Sequence, residues 1–267
     1  MKTTAAAIDN DIYDQYPERW WSATGFASLL EHVSNPWRFP YFQRILHHEG
    51  RKGFCGKRLL DVGCGGGVLT EEFAAIGLTV TGLDPSEKSI QAARAHAREN
   101  GLAIEYRHGS GDRLPFDTGS FDLVSCCDVL EHIQNWDHVV AEVARVLKPG
   151  GLFFYDTINR TPISKLVFIK LAQEWKYTRF LPPNLHVWDM FIRPEELTSA
   201  MNRHGLLNMD IRGTNPPKNP FRMLWAMRGL NRGRISAAEF GRRVGGSVEG
   251  PDINVNYMGY AIRKSNG

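Results

Sequence analysis

Nowhere in its 267 residues does the chain string together about 18 apolar residues, so no membrane-spanning helix is expected. Residues 1–10 lack the basic-then-apolar layout of a secretory leader. Cysteine is scarce, with four residues at positions 55, 64, 126 and 127. None forms a CxxC pair and none has a metal-ligand spacing, which argues against structural zinc and against a disulfide framework. Reduced thiols in a cytoplasmic protein are the simplest reading. Excess charge of one sign is lacking too. A net charge of +3 does not by itself argue for a nucleic-acid partner, and none is expected. No internal repeat or low-complexity tract is visible. What remains is ordinary globular material, 42% hydrophobic and 23% charged. It is long enough for one substantial core and an accessory element, but too short for two full domains.

Three zones follow one another. Residues 1–50 read as helical and aromatic-rich, carrying Tyr13, Tyr16, Trp20, Trp21, Phe26, Trp37, Phe39, Tyr41 and Phe42, and are expected to form a helical lid. Residues 51–267 are expected to hold the main domain, with insertions at about 158–192 and 215–251. Within it, strand patterns at 58–62, 78–83, 103–107, 121–126 and 151–156 alternate with helix patterns at 66–76, 86–100 and 136–147. That alternation predicts a doubly wound α/β domain with a mostly parallel sheet. Lys148-Pro149-Gly150-Gly151 supplies a helix stop before the last of these strands. Arg193-Pro194-Glu195-Glu196 reads as a helix start, and 206–212 and 254–262 as closing strands, one of them antiparallel. The 215–251 insertion carries Lys218, Arg222, Arg228, Arg232, Arg234, Arg242 and Arg243 against Glu239 and Glu249, with Phe221, Leu224, Trp225 and Leu230 near helical spacing.

The chemistry concentrates where a short apolar run ends in an acid and a glycine loop, Leu59-Leu60-Asp61-Val62-Gly63-Cys64-Gly65-Gly66-Gly67. A second apolar run ends in Asp84. This order describes a nucleotide pocket at the C-terminal edge of a parallel sheet. Glycine lets backbone N–H groups approach a ligand with no Cβ between. Asp84 can accept both hydroxyls of a ribose. Asp61, just before the loop, would repel a pyrophosphate and attract a sulfonium or ammonium group, which favours a cationic nucleoside over a dinucleotide. The segment 108–116 occupies the place of an adenine loop, where Ser110, the Gly111 amide or Asp112 can make the contact.

With these landmarks the glycine loop resembles motif I of the class I S-adenosylmethionine (SAM) methyltransferases. Asp128-xx-Glu131-His132 resembles the acid-xx-Glu-His signature of the ubiquinone-biosynthesis O-methyltransferases, with Asp128 standing where that family generally has Glu. Asn35-Pro36-Trp37-Arg38, Ile158-Asn159-Arg160, His186-Val187-Trp188, Phe191-Ile192 with Pro194, and the stretch 252–258 extend the likeness. It covers roughly 16–215 and the last fifteen or so residues. Residues 219–250 depart from it, being longer and more basic than the pattern leads one to expect.

The resemblance implies a Rossmann-like fold and SAM as cofactor. It implies that Arg38 holds the methionyl carboxylate by a forked pair, that Gly63 and Gly65 face the methionine part, and that the Cys127 backbone contacts the ligand. It further implies a divalent cation, Mg²⁺, on Asp128, Glu131 and His132, near a phenolic or catechol acceptor of the polyprenylated quinone-precursor kind. His132 and Glu131 are then the expected catalytic residues. Two carboxylates suit a hard cation and an imidazole is tolerated, although metal-free methyltransferases also carry this Glu-His pair. Alternatives of other classes are N- or C-methylation of a small metabolite, a noncatalytic SAM binder, an NAD-dependent oxidoreductase and a tRNA-modifying enzyme. Peripheral membrane contact is a further expectation, through the basic insertion or through the stretch 162–180 with its apolar residues flanked by lysines. His47 and His48 read as solvated helix residues, and vicinal Cys126 and Cys127 as buried strand-end residues.

Overall fold

A computed structural model describes residues 8, 10–15, 20–21, 28–49, 53–214, 219–244 and 249–265. Tyr16, Phe26 and Lys218 lie outside the described residues. In chain order the elements are α1 (Ile12–Gln15), α2 (Asn35–Glu49), β1 (Arg58–Val62), α3 (Val68–Ala75), β2 (Thr79–Asp84), α4 (Glu87–Glu99), β3 (Glu105–His108), β4 (Phe121–Cys127) and α5 (Trp136–Val146). They continue with β5 (Leu147–Ile158), α6 (Pro162–Ser164), α7 (Pro194–Arg203), β6 (Leu206–Thr214), α8 (Pro220–Asn231), α9 (Ala237–Val244), β7 (Glu249–Gly250) and β8 (Asn256–Arg263). Two π-helical stretches, Leu30–Ser34 and Lys165–Glu174, precede α2 and follow α6.

The sheet runs β3-β2-β1-β4-β5-β8-β6-β7. The first five strands are parallel, and β8 is antiparallel to both neighbours, so β6 resumes the direction of β5. The two-residue β7 adds an edge beyond the seven main strands. This is the doubly wound fold with an antiparallel closing strand. The order reverses between β1 and β4, and the crevice beyond the C-terminal strand ends at that point is where such sheets bind ligands.

Both faces are covered, and the pleat assigns side chains to them alternately. Leu60, Val124, Phe153 and Tyr155 meet α5 and α7 on one face, through Val139, Val143, Leu197 and Met201. Leu59, Leu123 and Phe154 meet α2 and α3 on the other, through Phe42, Leu69 and Phe73. Vicinal Cys126 and Cys127 fall on opposite faces by the same rule. Helix α2 is therefore part of the core. Phe42 and Leu46 are buried against the sheet. The long apolar side chains at 39, 42 and 46 follow a helical stripe, which is why this segment docks on the sheet. His47 and His48 are exposed at its end.

Local signals read as the sequence suggested. Ser86 caps α4 by accepting from the Ser89 N–H at 3.0 Å. Pro194 opens α7, where the Arg193 N–H donates to Glu196 Oε2 at 3.0 Å. The 215–251 insertion forms α8 and α9, which pack on the stretch 171–181 through Ala226, Met227 and Phe240. Among the described residues no helix is long and apolar enough to cross a membrane.

Candidate active site

The C-terminal ends of β1, β2, β4 and β5 open into a cavity of about 860 Å³. Its lining includes Arg38, Asp61, Gly63, Gly65, Asp84, Ser110, Gly111, Cys127, Asp128 and His132. The volume lies near the upper end of the roughly 300–1,000 Å³ usual for small-molecule sites. Of the residues expected from the sequence, Glu131 and Asp112 stay out of the wall. Glu131 is 1% exposed and sits behind His132.

At the glycine loop, Gly63 and Gly65 take φ of 72° and 52°, conformations that need glycine. The Gly65 N–H donates to Asp84 Oδ2 and the Ser86 N–H to Asp84 Oδ1, both at 2.8 Å. Asp84 thus ties the loop after β1 to the turn after β2. Burial pushes its carboxyl up to about 6, against the lowering effect of these two N–H groups. Asp61 accepts from Thr70 Oγ1 and Ser125 Oγ at 2.6 Å each, and burial raises its pKa. Both of its oxygens are engaged, so it influences a ligand through its field. Trp20 lies directly on the loop, where a Cβ on Gly65 or Gly66 would collide with its indole. Its Nε1 donates to Ser89 Oγ at 2.9 Å, and Trp21 Nε1 donates to the Gly66 carbonyl at 2.9 Å. Trp20 lines the cavity and Trp21 stacks on His96, both from bends. Ser110 and Gly111 line the cavity, and Ser110 Oγ donates to Asp112 Oδ1 at 2.6 Å, while Asp112 is not part of the wall. Burial raises the Cys127 thiol, which is therefore un-ionised at neutral pH.

Arg38 is buried beneath β4 and β5. Its Nη1 donates to Asp128 and, at 2.7 Å, to Asp156 Oδ2, and its Nε donates to Asn35 Oδ1 at 2.9 Å. Burial opposes the charge, but Asp156 and Asp128 outweigh it and raise the guanidinium pKa further. The fork expected to meet a methionyl carboxylate is thus already shared by two acids. Asp128 takes φ of 56°, a left-handed conformation costing roughly 1–3 kcal/mol in a non-glycine residue. Its N–H donates to Asp156 Oδ1 at 2.7 Å, and with the Arg38 bond this fixes the turn leading from β4 into the 3₁₀ turn Leu130–His132.

That turn changes the expected metal set. Asp128 is drawn to Arg38, and Glu131 and His132 instead gather with His186, one ligating atom of each lying within 4.8 Å of the others. Glu131 Oε1, His132 Nδ1 and His186 Nδ1 are buried without a hydrogen-bond partner. Glu131 Oε2 accepts from Thr157 Oγ1 at 2.8 Å. Burial, then Asp128, raises the Glu131 carboxyl, while burial lowers His132 to about 4. Burial and His132 push His186 well below its ordinary value. One carboxylate and two imidazoles do not fit Mg²⁺, which asks for an octahedron of oxygens; such a set suits a borderline ion such as Zn²⁺. Sequence reading missed His186 as part of this cluster. Its only signal was a histidine in the His186-Val187-Trp188 landmark, more than fifty positions from His132, and nothing local reveals that separation closing to ring centroids 5.2 Å apart.

Comparisons with known proteins bear on the family and the fold. A family profile described as a methyltransferase domain matches residues 60–155. A ubiquinone biosynthesis O-methyltransferase of Nitrosococcus oceani is 36% identical over 270 residues, covering 99% of this chain and 100% of that protein. Another, of Agrobacterium fabrum, is 38% identical over 211 residues, covering 77% of this chain and 83% of its own. Among solved structures, a SAM-dependent methyltransferase from Aquifex aeolicus matches with a TM-score of 0.55 at 14% identity, over 92% of this chain and 98% of that one, a likeness of fold alone.

Proposed function

The chain belongs to the ubiquinone biosynthesis O-methyltransferases, a SAM-dependent family, and on that premise we propose that it methylates a phenolic or catechol hydroxyl held at His132. The observation that carries this reading is the convergence of the unpartnered His132 and His186 nitrogens on the cavity that the glycine loop lines. Membership removes the oxidoreductase and noncatalytic alternatives, and the acceptor reading displaces a tRNA substrate.

Asp84 would hold the cofactor's ribose, with Ser110 and Gly111 beside its adenine. Gly63, Gly65 and the Cys127 backbone would line its methionine part. The field of Asp61 and Asp84 would favour its cationic sulfonium. A methionyl carboxylate at Arg38 must share the guanidinium with Asp128, whose side chain is 35% exposed and can yield, whereas Asp156 is buried and cannot.

Transfer is an in-line displacement. The phenolic oxygen attacks the methyl carbon, the carbon–sulfur bond breaks, and its electron pair goes to sulfur. Holding oxygen and methyl in line can supply on the order of 7–11 kcal/mol of the barrier. The phenolic proton goes to His132. Burial keeps that imidazole neutral at pH 7, so a ring nitrogen is able to accept it. Glu131, behind the wall and bonded by Thr157, brings a carboxyl oxygen within 4.8 Å of a ring nitrogen of His132. No step rests on Mg²⁺, which the donor set does not fit. The test is an acceptor assay with catechol and SAM, with and without chelator. Methylated catechol with chelator present is the expected result; catechol left unchanged by SAM-loaded enzyme under both conditions would remove the phenolic reading.

A cytoplasmic enzyme with peripheral membrane contact is the accompanying reading, supported by the outer face of α8. Phe221 and Trp225, one helical turn apart, are 71% and 73% exposed beside exposed Arg222. Aromatic and basic side chains on one face suit an anionic lipid surface. Flotation with phosphatidylglycerol vesicles at low salt should carry the protein upward, and a protein left at the bottom would remove this contact.

A further inference from the structure

The short helix α1 and the residues beside it reach both halves of the cavity. On the cofactor side, Ser86 Oγ donates to Asp14 Oδ1 at 2.5 Å and Lys88 Nζ to the Asp14 carbonyl at 2.9 Å, which ties α1 to the start of α4. The Tyr13 ring stacks on Trp20, with centroids 5.7 Å apart and planes 14° from parallel, and Trp20 in turn lies on Gly65 and Gly66. On the other side the Tyr13 ring stands edge-on to His132, with centroids 6.0 Å apart and planes at 77°. Asn10 Nδ2 donates to the His132 carbonyl at 3.1 Å. Asn10, Tyr13 and Asp14 all line the cavity.

The His132 ring needs such contacts. Its Nδ1 is buried with no hydrogen-bond partner, so that nitrogen does not fix the imidazole. The rings of Tyr13 and His186 stand against it instead. An edge-on pair has a preferred geometry, because the rim of an aromatic ring is positive and its face negative, and so it resists rotation. The Tyr13 phenol does not compete with His132 for a proton. Burial, then Glu131, Asp128 and Asp84, raise its pKa, and it stays protonated at neutral pH. What Tyr13 offers His132 is its ring.

We propose that Tyr13 and Asn10 are positioning residues for His132: the Tyr13 ring sets the angle of the imidazole toward the acceptor, and Asn10 holds the backbone that carries it. This rests on the reading that His132 takes the phenolic proton, and each residue acts through His132. Since Tyr13 spans from Trp20 to His132, one segment sets both the covering of the glycine loop and the group that meets the acceptor.

Tyr13→Leu keeps apolar bulk and removes the ring. It should lower kcat for catechol about 10–100-fold, since a misplacement of about 1 Å can cost about 100-fold, while the catechol KM and the SAM Kd stay within about threefold. Tyr13→Phe should restore kcat to within about threefold of the wild type. Asn10→Ala, at an exposed position, should lower kcat about two- to tenfold with the same split. In a His132→Ala background, Tyr13→Leu should change the residual rate by less than about twofold, because the ring it acts through is gone. Effects that multiply in the double variant, or a loss of SAM affinity as large as the loss of kcat, would overturn the proposal. Histidine isotope-labelled at Cε1 gives a magnetic-resonance readout that needs no turnover. In the S-adenosylhomocysteine complex the His132 signal, assigned by its absence from His132→Ala, should be single in the wild type and Tyr13→Phe, and broadened or split in Tyr13→Leu. Should the wild type leave catechol unmethylated, that change upholds the hold on the ring even as the acceptor reading falls. A single sharp His132 signal in Tyr13→Leu overturns the proposal. Should Tyr13→Leu fail to fold, Asn10→Ala decides by the same split and the same signal.

Discussion

The two ends of the cavity are built on opposite plans. At the strand ends every carboxylate is engaged: Asp61 by two hydroxyls, Asp84 by two backbone N–H groups, Asp156 by Arg38 and the Asp128 N–H. Around His132 and His186 the reverse holds, with three buried polar atoms unpartnered and an apolar lining beyond. Buried polar groups are costly when unsatisfied, so proteins keep such atoms where a ligand meets them. On the proposed function the two ends divide the labour: a preformed cradle would set cofactor affinity, and a reactive end would act on turnover.

The sharpest way to break that division is His132→Ala. It should lower kcat by about 10²–10⁴-fold, the range for a general base, while the SAM Kd by calorimetry stays within about threefold. A loss of SAM affinity with turnover retained would place His132 in the cradle instead. Next is Arg38→Ala, which leaves Asp156 buried and uncompensated. Urea unfolding should show a loss of roughly 3–5 kcal/mol, and an unchanged midpoint would mean that the Arg38 network does not hold the strand ends together. Asp84→Ala should weaken SAM by about 10–100-fold with kcat at saturation little altered, since it removes a charged acceptor and loosens the glycine loop. The smallest effect is one of pH. Asp84 titrates near 6, so the fraction of carboxylate falls as pH drops through that value, and a protonated acid accepts ribose hydroxyls less well. SAM affinity should therefore weaken below about pH 6, and in Asp84→Asn that dependence should flatten; an equally steep profile in the variant would assign it to another group.

The same contrast marks what could be read before the structure. The strands and the glycine loop were legible because their signals are local: alternation of apolar runs, an acid at a strand end, glycines where φ must be positive. The strand 58–62 matches β1, and the second strand, expected at 78–83, lies one residue later as β2, which ends on Asp84. The acid at 128 was legible as a site residue but not in its role. Its left-handed backbone turns it toward Arg38, a residue ninety positions earlier in the chain. His186 was invisible as a member of the cluster for the same reason. The insertion was legible as basic with apolar residues near helical spacing, but what those apolar faces pack against is decided only by the fold.

The sequence by itself determined the sheet, the cradle and the identity of the chain as a methyltransferase, since each depends on residues adjacent or at fixed spacing, where sterics and periodicity act directly. Only the tertiary structure decided which acid meets Arg38, that His186 joins His132, and that α8 and α9 close the far end of the pocket. Those outcomes depend on contacts between residues distant in the chain, whose pairing is fixed by how whole elements pack and not by any local preference.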